Sequence, residues 1–183
     1  MHNSSLKALS IVGALLIASL FSPAVLSKGV YQSGPEFIAQ TFAPQQPQAK
    51  ALWLTPEIRQ RAESILDRQV PGLRVRYHIL DNKSAWILEE IGKEMPITIG
   101  VVVTDHKITE VKILAYRESR GGEVRYPAYT AQYRGASLQS NNRLDQSIDG
   151  ITGATLSVWA VNKVAGLALY YHSQVVEQAV ATN

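Results

Sequence analysis

The sequence predicts an α+β domain: an antiparallel sheet flanked by helices, preceded by an N-terminal leader. Three observations predict it. Four strand-like runs lie between residues 73 and 116 with only short turns between them, a capped helical segment precedes them, and a long helical pattern follows residue 155. Consecutive strands joined by short turns pair antiparallel, and the flanking helices must cover the sheet. At 183 residues the chain is long enough for one domain with its own core.

Taken in order, His2 and Lys7 precede an apolar run from Leu9 to Phe21, and Ser22-Pro23-Ala24-Val25-Leu26-Ser27 comes next. Residues 1–27 therefore read as a secretory signal cut before Lys28. Leu9 to Leu26 is also just long enough for a membrane anchor, so tethering to the inner membrane by residues 9–26 stays open beside a soluble periplasmic product. Residues 28–54, with Ala43-Pro44-Gln45-Gln46-Pro47-Gln48, read as an extended spacer. The folded domain is expected over 55–180.

Thr55-Pro56-Glu57 opens a helix with a cap, a proline at the first position and an acid at the positive end. Ile58, Ala62, Ile65 and Leu66 form its buried face, and Pro71-Gly72 stops it. Leu73 to Ile79 alternates strictly and is a half-buried strand. Ser84 to Ile91 is the second strand. Met95 to Thr104 is the third, largely buried. Asp105-His106-Lys107 turns the chain into the fourth, Ile108 to Tyr116.

Composition excludes several functions. There is no cysteine, which removes c-type haem attachment, iron–sulfur ligation and thiol catalysis. The 18 basic and 15 acidic residues form no basic block with interleaved aromatics, which leaves nucleic-acid binding without support. His2, His78, His106 and His172 have no ligand spacing, so no metal site is expected. Gly-x-Ser-x-Gly and Gly-x-Gly-x-x-Gly are both absent, and no catalytic set is assigned.

The most informative run is Asp149-Gly150-Ile151-Thr152-Gly153-Ala154-Thr155. Beyond it, Leu156, Ala160, Val164, Leu167, Tyr171 and Val175 recur at steps of three and four and form one apolar stripe. Thr152 is expected to cap the helix, with Gly153 giving the backbone room to turn. Unpaired amides and the positive end of the dipole then suit a phosphate, and a first-turn hydroxyl is well placed to carry one. A plain capping turn would share most of these features.

This run resembles the flavinylation motif of the FMN-binding domain family, Asp-x-x-(Ser/Thr)-Gly-Ala-Thr, whose last threonine carries FMN through a phosphoester. Every constrained position matches. The resemblance implies covalent FMN on Thr155, with Asp149, Thr152, Gly153, Ala154 and Leu156 around it. It also implies a partner flavin transferase that uses FAD and a metal ion and reads Asp149 as part of its signal. It extends over about residues 71–175 and points to small exported relatives of the FMN-carrying subunits of Rnf and sodium-pumping NADH:quinone reductase complexes.

In that family a strand ends in a Glu-Thr-Pro-Gly-Leu-Gly loop, followed by an aromatic-rich stretch like Tyr129-x-x-Gln132-Tyr133-x-Gly135. Here Glu118 is kept, but Ser119-Arg120-Gly121 replaces Thr-Pro-Gly. Glu118, Ser119 and Gly121 are candidates to lie along the flavin, since a glycine-bearing loop lets backbone amides approach a planar ring. Arg117 and Arg120 are candidates to neutralise an anion. Tyr126, Tyr129 and Tyr133 are candidates for stacking or for the core. Leu156 is expected beneath the flavin, Trp159 in the core and His78 at the surface.

The expected function is electron transfer: an exported, membrane-associated or periplasmic flavoprotein working between redox donor and acceptor proteins rather than a stand-alone enzyme. The alternative is a periplasmic binding or interaction module of the same fold without flavin.

Overall fold

The computed structural model describes residues 29–181. The expected signal or anchor at 1–27 lies outside them. Five strands, β1 (Gln48–Trp53), β2 (Arg74–Leu80), β3 (Lys83–Ile91), β4 (Pro96–Thr104) and β5 (Lys107–Ala115), form one antiparallel sheet in sequence order. The helices are α1 (Gly34–Phe42), α2 (Pro56–Leu66), the single turn α3 (Pro127–Thr130) and the long α4 (Thr155–Ala181). The fold is α+β, as the strand pattern predicts.

Tight turns explain the meander. Between β4 and β5, Asp105 and His106 both adopt positive φ (51° and 60°), the left-handed pair that joins twisted strands in two residues. Helix α2 begins where its cap predicts, with Thr55 Oγ1 accepting from the Ile58 N–H at 3.3 Å. It ends earlier than Pro71-Gly72, at Asp67, whose φ of 56° lets its N–H return to the Glu63 carbonyl.

Helices α2 and α4 cover one face of the sheet, over a core that includes Trp86, Ile99, Val101, Tyr133, Val161 and Ala165. Helix α1 covers part of the other face, where Phe37, Ile38 and Phe42 meet Ala85, Val102 and Leu114. Phe37 lies so close to β4 that a Cβ at Gly100 would fall 2.6 Å from its Cζ. This corrects the reading of 28–54 as an extended spacer. Ser33 caps α1 by accepting from the Glu36 N–H, and β1 pairs with β2 along the sheet edge.

A β-bulge near the end of β5 sets the direction of the residues beyond it. Ile99 pairs with Ile113 and Thr98 with Ala115, so Leu114 is the extra residue. Leu114 turns to the α1 face, while Ile113 and Tyr116 both face α4. The bulge thereby aims the Tyr116 ring at the first turn of α4.

Candidate functional site

At one end of the sheet three segments distant in sequence meet: the β3–β4 turn, the loop after β5 and the start of α4. They enclose an open cavity of about 580 Å³ lined by Lys93, Glu94, Glu118, Ser119, Arg120 and residues 153–157. That volume is ordinary for a small-molecule or cofactor site.

The start of α4 supplies the polar floor. Ile151 to Ala154 form a turn closed by the Ala154 N–H on the Ile151 carbonyl at 2.9 Å, and Gly153 occupies its left-handed position at φ 79°. The first helical bond runs from the Val158 N–H to the Ala154 carbonyl, at 3.0 Å. Ala154 is thus the capping residue. Thr152 lies in the preceding turn, which corrects its expected role as the cap. Alanine has no oxygen to offer the amides of Thr155, Leu156 and Ser157, and relative to Ser or Asp it forgoes about 1 kcal/mol of capping. The uncapped helix end opens on the cavity. Thr155, exposed at the first helical position, lies within it.

Glu118 holds the opposite wall. Its Oε1 accepts the backbone N–H groups of Lys93, Glu94 and Met95 at 2.6, 2.6 and 2.9 Å. Burial works to raise its carboxyl, but the three amides outweigh it and hold the group below the usual carboxylate range. Glu118 therefore fixes the β3–β4 turn to the loop, and its charge is directed into amides.

The third contact joins loop to helix. The Tyr116 hydroxyl donates to the Arg120 carbonyl, which uses its single proton, so the Ser157 hydroxyl must donate to Tyr116 Oη across 2.9 Å. Gly121 sits at φ 81°, and a Cβ there would lie 2.8 Å from both Ala154 Cβ and Tyr116 Oη. Gly121 does not line the cavity; its small size lets the loop lie against the helix start.

The structure thus brings Glu118, Ser119, Gly153, Ala154, Thr155 and Leu156 together and adds Arg120. Asp149 and Thr152 are exposed and outside the cavity; the Asp149 N–H is held by Gln132 Oε1 at 2.8 Å. Arg117 is not in the lining. Tyr129 and Tyr133 are buried, with their hydroxyls 3.2 Å apart and Tyr133 donating to Asn162 Oδ1 at 2.6 Å, so they are core; Tyr126 is exposed. Trp159, expected in the core, is 57% exposed, and Leu156 departs from the buried stripe at 42%. Both lie on the outer side of the first turns of α4, whose inner side carries the buried Val158 and Val161. Sequence reasoning missed Lys93, Glu94 and Ser157. Only the pairing of β3 with β4 brings the first two to Glu118.

This arrangement fits FMN: a hydroxyl and free helix amides for its phosphate and the cation of Arg120 at the cavity, while Lys93 is paired with Glu94 at 3.4 Å. Residues 92–170 match the family model for the FMN-binding domain, and this span contains all three walls. The match supports an FMN-binding domain over these residues and, with it, a flavin-binding class of protein. Among solved structures it is similar to NqrC of Shewanella oneidensis, at a TM-score of 0.53 and 14% identity, covering 77% of this chain and 88% of that one. At that identity the likeness is one of fold. No curated protein matches the chain.

Proposed function

We propose that this protein is an electron carrier whose FMN is joined through its phosphate to the Thr155 hydroxyl. The observation that carries the reading is the convergence of an exposed threonine, an uncapped helix start and the Glu118 loop on one cavity. Bound FMN supplies reversible one- and two-electron transfer. The protein's own residues do the rest: helix amides receive the phosphate, Arg120 offsets negative charge, and the Tyr116–Ser157 bond holds the loop against the helix.

Asp149 and Thr152, outside the cavity and exposed, remain accessible as the signal read by a flavin transferase. Covalent attachment suits an exported or membrane-tethered protein, because a dissociated cofactor would be lost by dilution. The open cavity and the exposed Leu156 suit exchange of electrons with donor and acceptor proteins.

The test is in-gel fluorescence and intact mass after denaturation, on protein co-produced with a flavin transferase and exported. Fluorescence that survives denaturation, with a mass gain of one FMN phosphoester on the Thr155 peptide, is the expected result. An unmodified chain would instead leave Thr155 as a first-turn surface residue and favour a flavin-free binding module.

A further inference from the structure

The two edges of the sheet are finished differently. On the outer side of β5, the Leu114 carbonyl accepts from the Tyr31 and Gln32 N–H groups, and the Tyr116 N–H donates to the Gly29 carbonyl. At its other end the Ile108 N–H donates to the Ala136 carbonyl, while the Ile108 carbonyl accepts from Gly135. Two register shifts also interrupt the pairing of β5 with β4. Bulges and coverings of this kind keep an edge strand from pairing with other chains. The β1 edge has neither. Its six residues pair with β2 in unbroken register, from Gln48↔Ile79 to Trp53↔Arg74.

Strand alternation fixes which backbone groups of β1 point outward. The Leu54 N–H donates to the Leu73 carbonyl at 2.9 Å, which continues the β1–β2 register by one pair. Leu54, Leu52 and Lys50 therefore turn their backbone groups toward β2, and Ala49, Ala51 and Trp53 turn theirs away. Among the described residues, the only backbone bond to these outward groups is from the Thr55 N–H to the Trp53 carbonyl, at 3.1 Å.

The surroundings of this free edge are basic. Leu52 belongs to the core under α2 and α4, so Ala49, Ala51 and Trp53 present their side chains to the opposite face. On that face Arg74 and Arg76 stand on β2, opposite Trp53 and Ala51. Both are exposed, as is Lys50 at the edge itself, and none of the three forms an ion pair among the described residues. Arg74 lies over the exposed Trp53 ring, its guanidinium carbon 5.6 Å from the centroid. Ala51 is too short to screen Arg76 from a strand added beyond it.

We propose that the outer edge of β1 is a docking site for an extended, acidic segment of a partner protein, which adds to the sheet as a sixth strand. Backbone bonds to Ala49 and Ala51 hold the segment, and a carboxylate opposite Ala51 reaches over it to Arg76. A second copy of this chain is a poorer match, because two such edges bring Lys50, Arg74 and Arg76 toward their like. The β1 edge is independent of the flavin reading: it contributes no residue to the Thr155 cavity, and a docked segment leaves that cavity open.

The experiment is fluorescence anisotropy of the full chain with two labelled peptides, acidic Thr-Glu-Val-Glu-Val-Glu-Thr and its basic counterpart Thr-Lys-Val-Lys-Val-Lys-Thr. The acidic peptide should bind saturably and the basic one should not. Ala51→Pro removes an outward N–H without touching a β1–β2 bond, and should weaken the acidic peptide by about tenfold. Arg76→Glu reverses an exposed charge and should also weaken it by about tenfold or more. The proposal is overturned if the acidic peptide fails to bind saturably, if the basic peptide binds as well, or if either variant binds the acidic peptide as wild type does. Sedimentation of the chain as a dimer that Ala51→Pro dissociates would also overturn it, by assigning the edge to a second copy.

Discussion

Glu118 Oε1 accepts the backbone N–H of Lys93 at 2.6 Å, across 25 positions of sequence, and the next two amides of the same turn bind the same oxygen. One carboxylate thus does for a β-turn what a capping residue does for a helix. It makes the β3–β4 turn a wall of the cavity rather than a free hairpin tip.

Glu118→Ala should cost about 1–2 kcal/mol, the lower part of the range for charged hydrogen bonds because the carboxylate is partly exposed. The pH dependence has a definite sign. Because the folded group is held below its ordinary value, its contribution is full above the unfolded carboxylate range and is lost as pH falls through the folded value. Urea unfolding of wild type and Glu118→Gln should therefore differ most near neutral pH and converge in acid. A difference that widened in acid would contradict this account.

Gly121 and Gly153 both adopt positive φ, at 81° and 79°, but only Gly121 is crowded. Gly153→Ala should cost about 1 kcal/mol, the conformational term alone. Gly121→Ala adds the clash with Ala154 and Tyr116, for a total of about 2–4 kcal/mol, and should also reduce flavin loading by moving the loop off the helix start. Thermal unfolding of the pair separates the two effects. Equal losses would mean that the loop yields without cost.

Thr155→Val keeps the shape of an exposed side chain and removes its hydroxyl. Covalent flavin should vanish while stability changes by less than about 0.5 kcal/mol. Thr155→Ser should restore loading. Asp149→Ala should lower loading at unchanged stability, because its side chain lies outside the cavity. Mass spectrometry after denaturation, paired with urea midpoints, checks all three variants; full loading of Thr155→Val would exclude Thr155 as the point of attachment.

The sheet and most of the site were legible because period-2 runs, two-residue turns and a seven-residue motif are local signals. The β5 bulge was not: Ile113-Leu114-Ala115-Tyr116 gives no sign of which residue is extra until β4 pairs with it. Residues 34–53 were misread for a different reason. Pro44, Pro47 and the glutamines suggest a spacer, whereas Phe37, Ile38 and Phe42 supply just enough apolar surface to cover the second face. The signal was Ser33 before Pro35-Glu36, a helix start of the same type as Thr55-Pro56-Glu57. In α4 nearly every residue from Val164 to His172 is buried, so helical period says little there about which side chains face the sheet. Trp159 lies before that span and was misplaced for another reason: Leu156, one turn earlier on the same side of the helix, was counted in the apolar stripe, and both are exposed.

His172 carries the last prediction. It is buried at 1% exposure, and its Nδ1 lies 2.8 Å from Ser84 Oγ, which accepts the Trp86 Nε1–H at 2.8 Å. With that lone pair used, the serine proton is free to point to Nδ1, so the chain Trp86→Ser84→His172 is satisfied when the imidazole is neutral. Burial first, and then the edge-on His106 ring 5.1 Å away, push His172 down to about 4, with Asp105 opposing. Unfolded, the residue titrates near 6.5, so between these values the unfolded chain holds the extra proton and stability falls as pH falls. The difference corresponds to roughly 3 kcal/mol, developed between about pH 6.5 and 4. His172→Gln should be less stable than wild type at pH 7.5, because a well-fitted ring is lost, but should lose less on acidification to pH 4.5. Urea unfolding at intervals across that range measures both slopes. Parallel curves would show that the buried imidazole takes up its proton without disturbing the chain of bonds beneath α4.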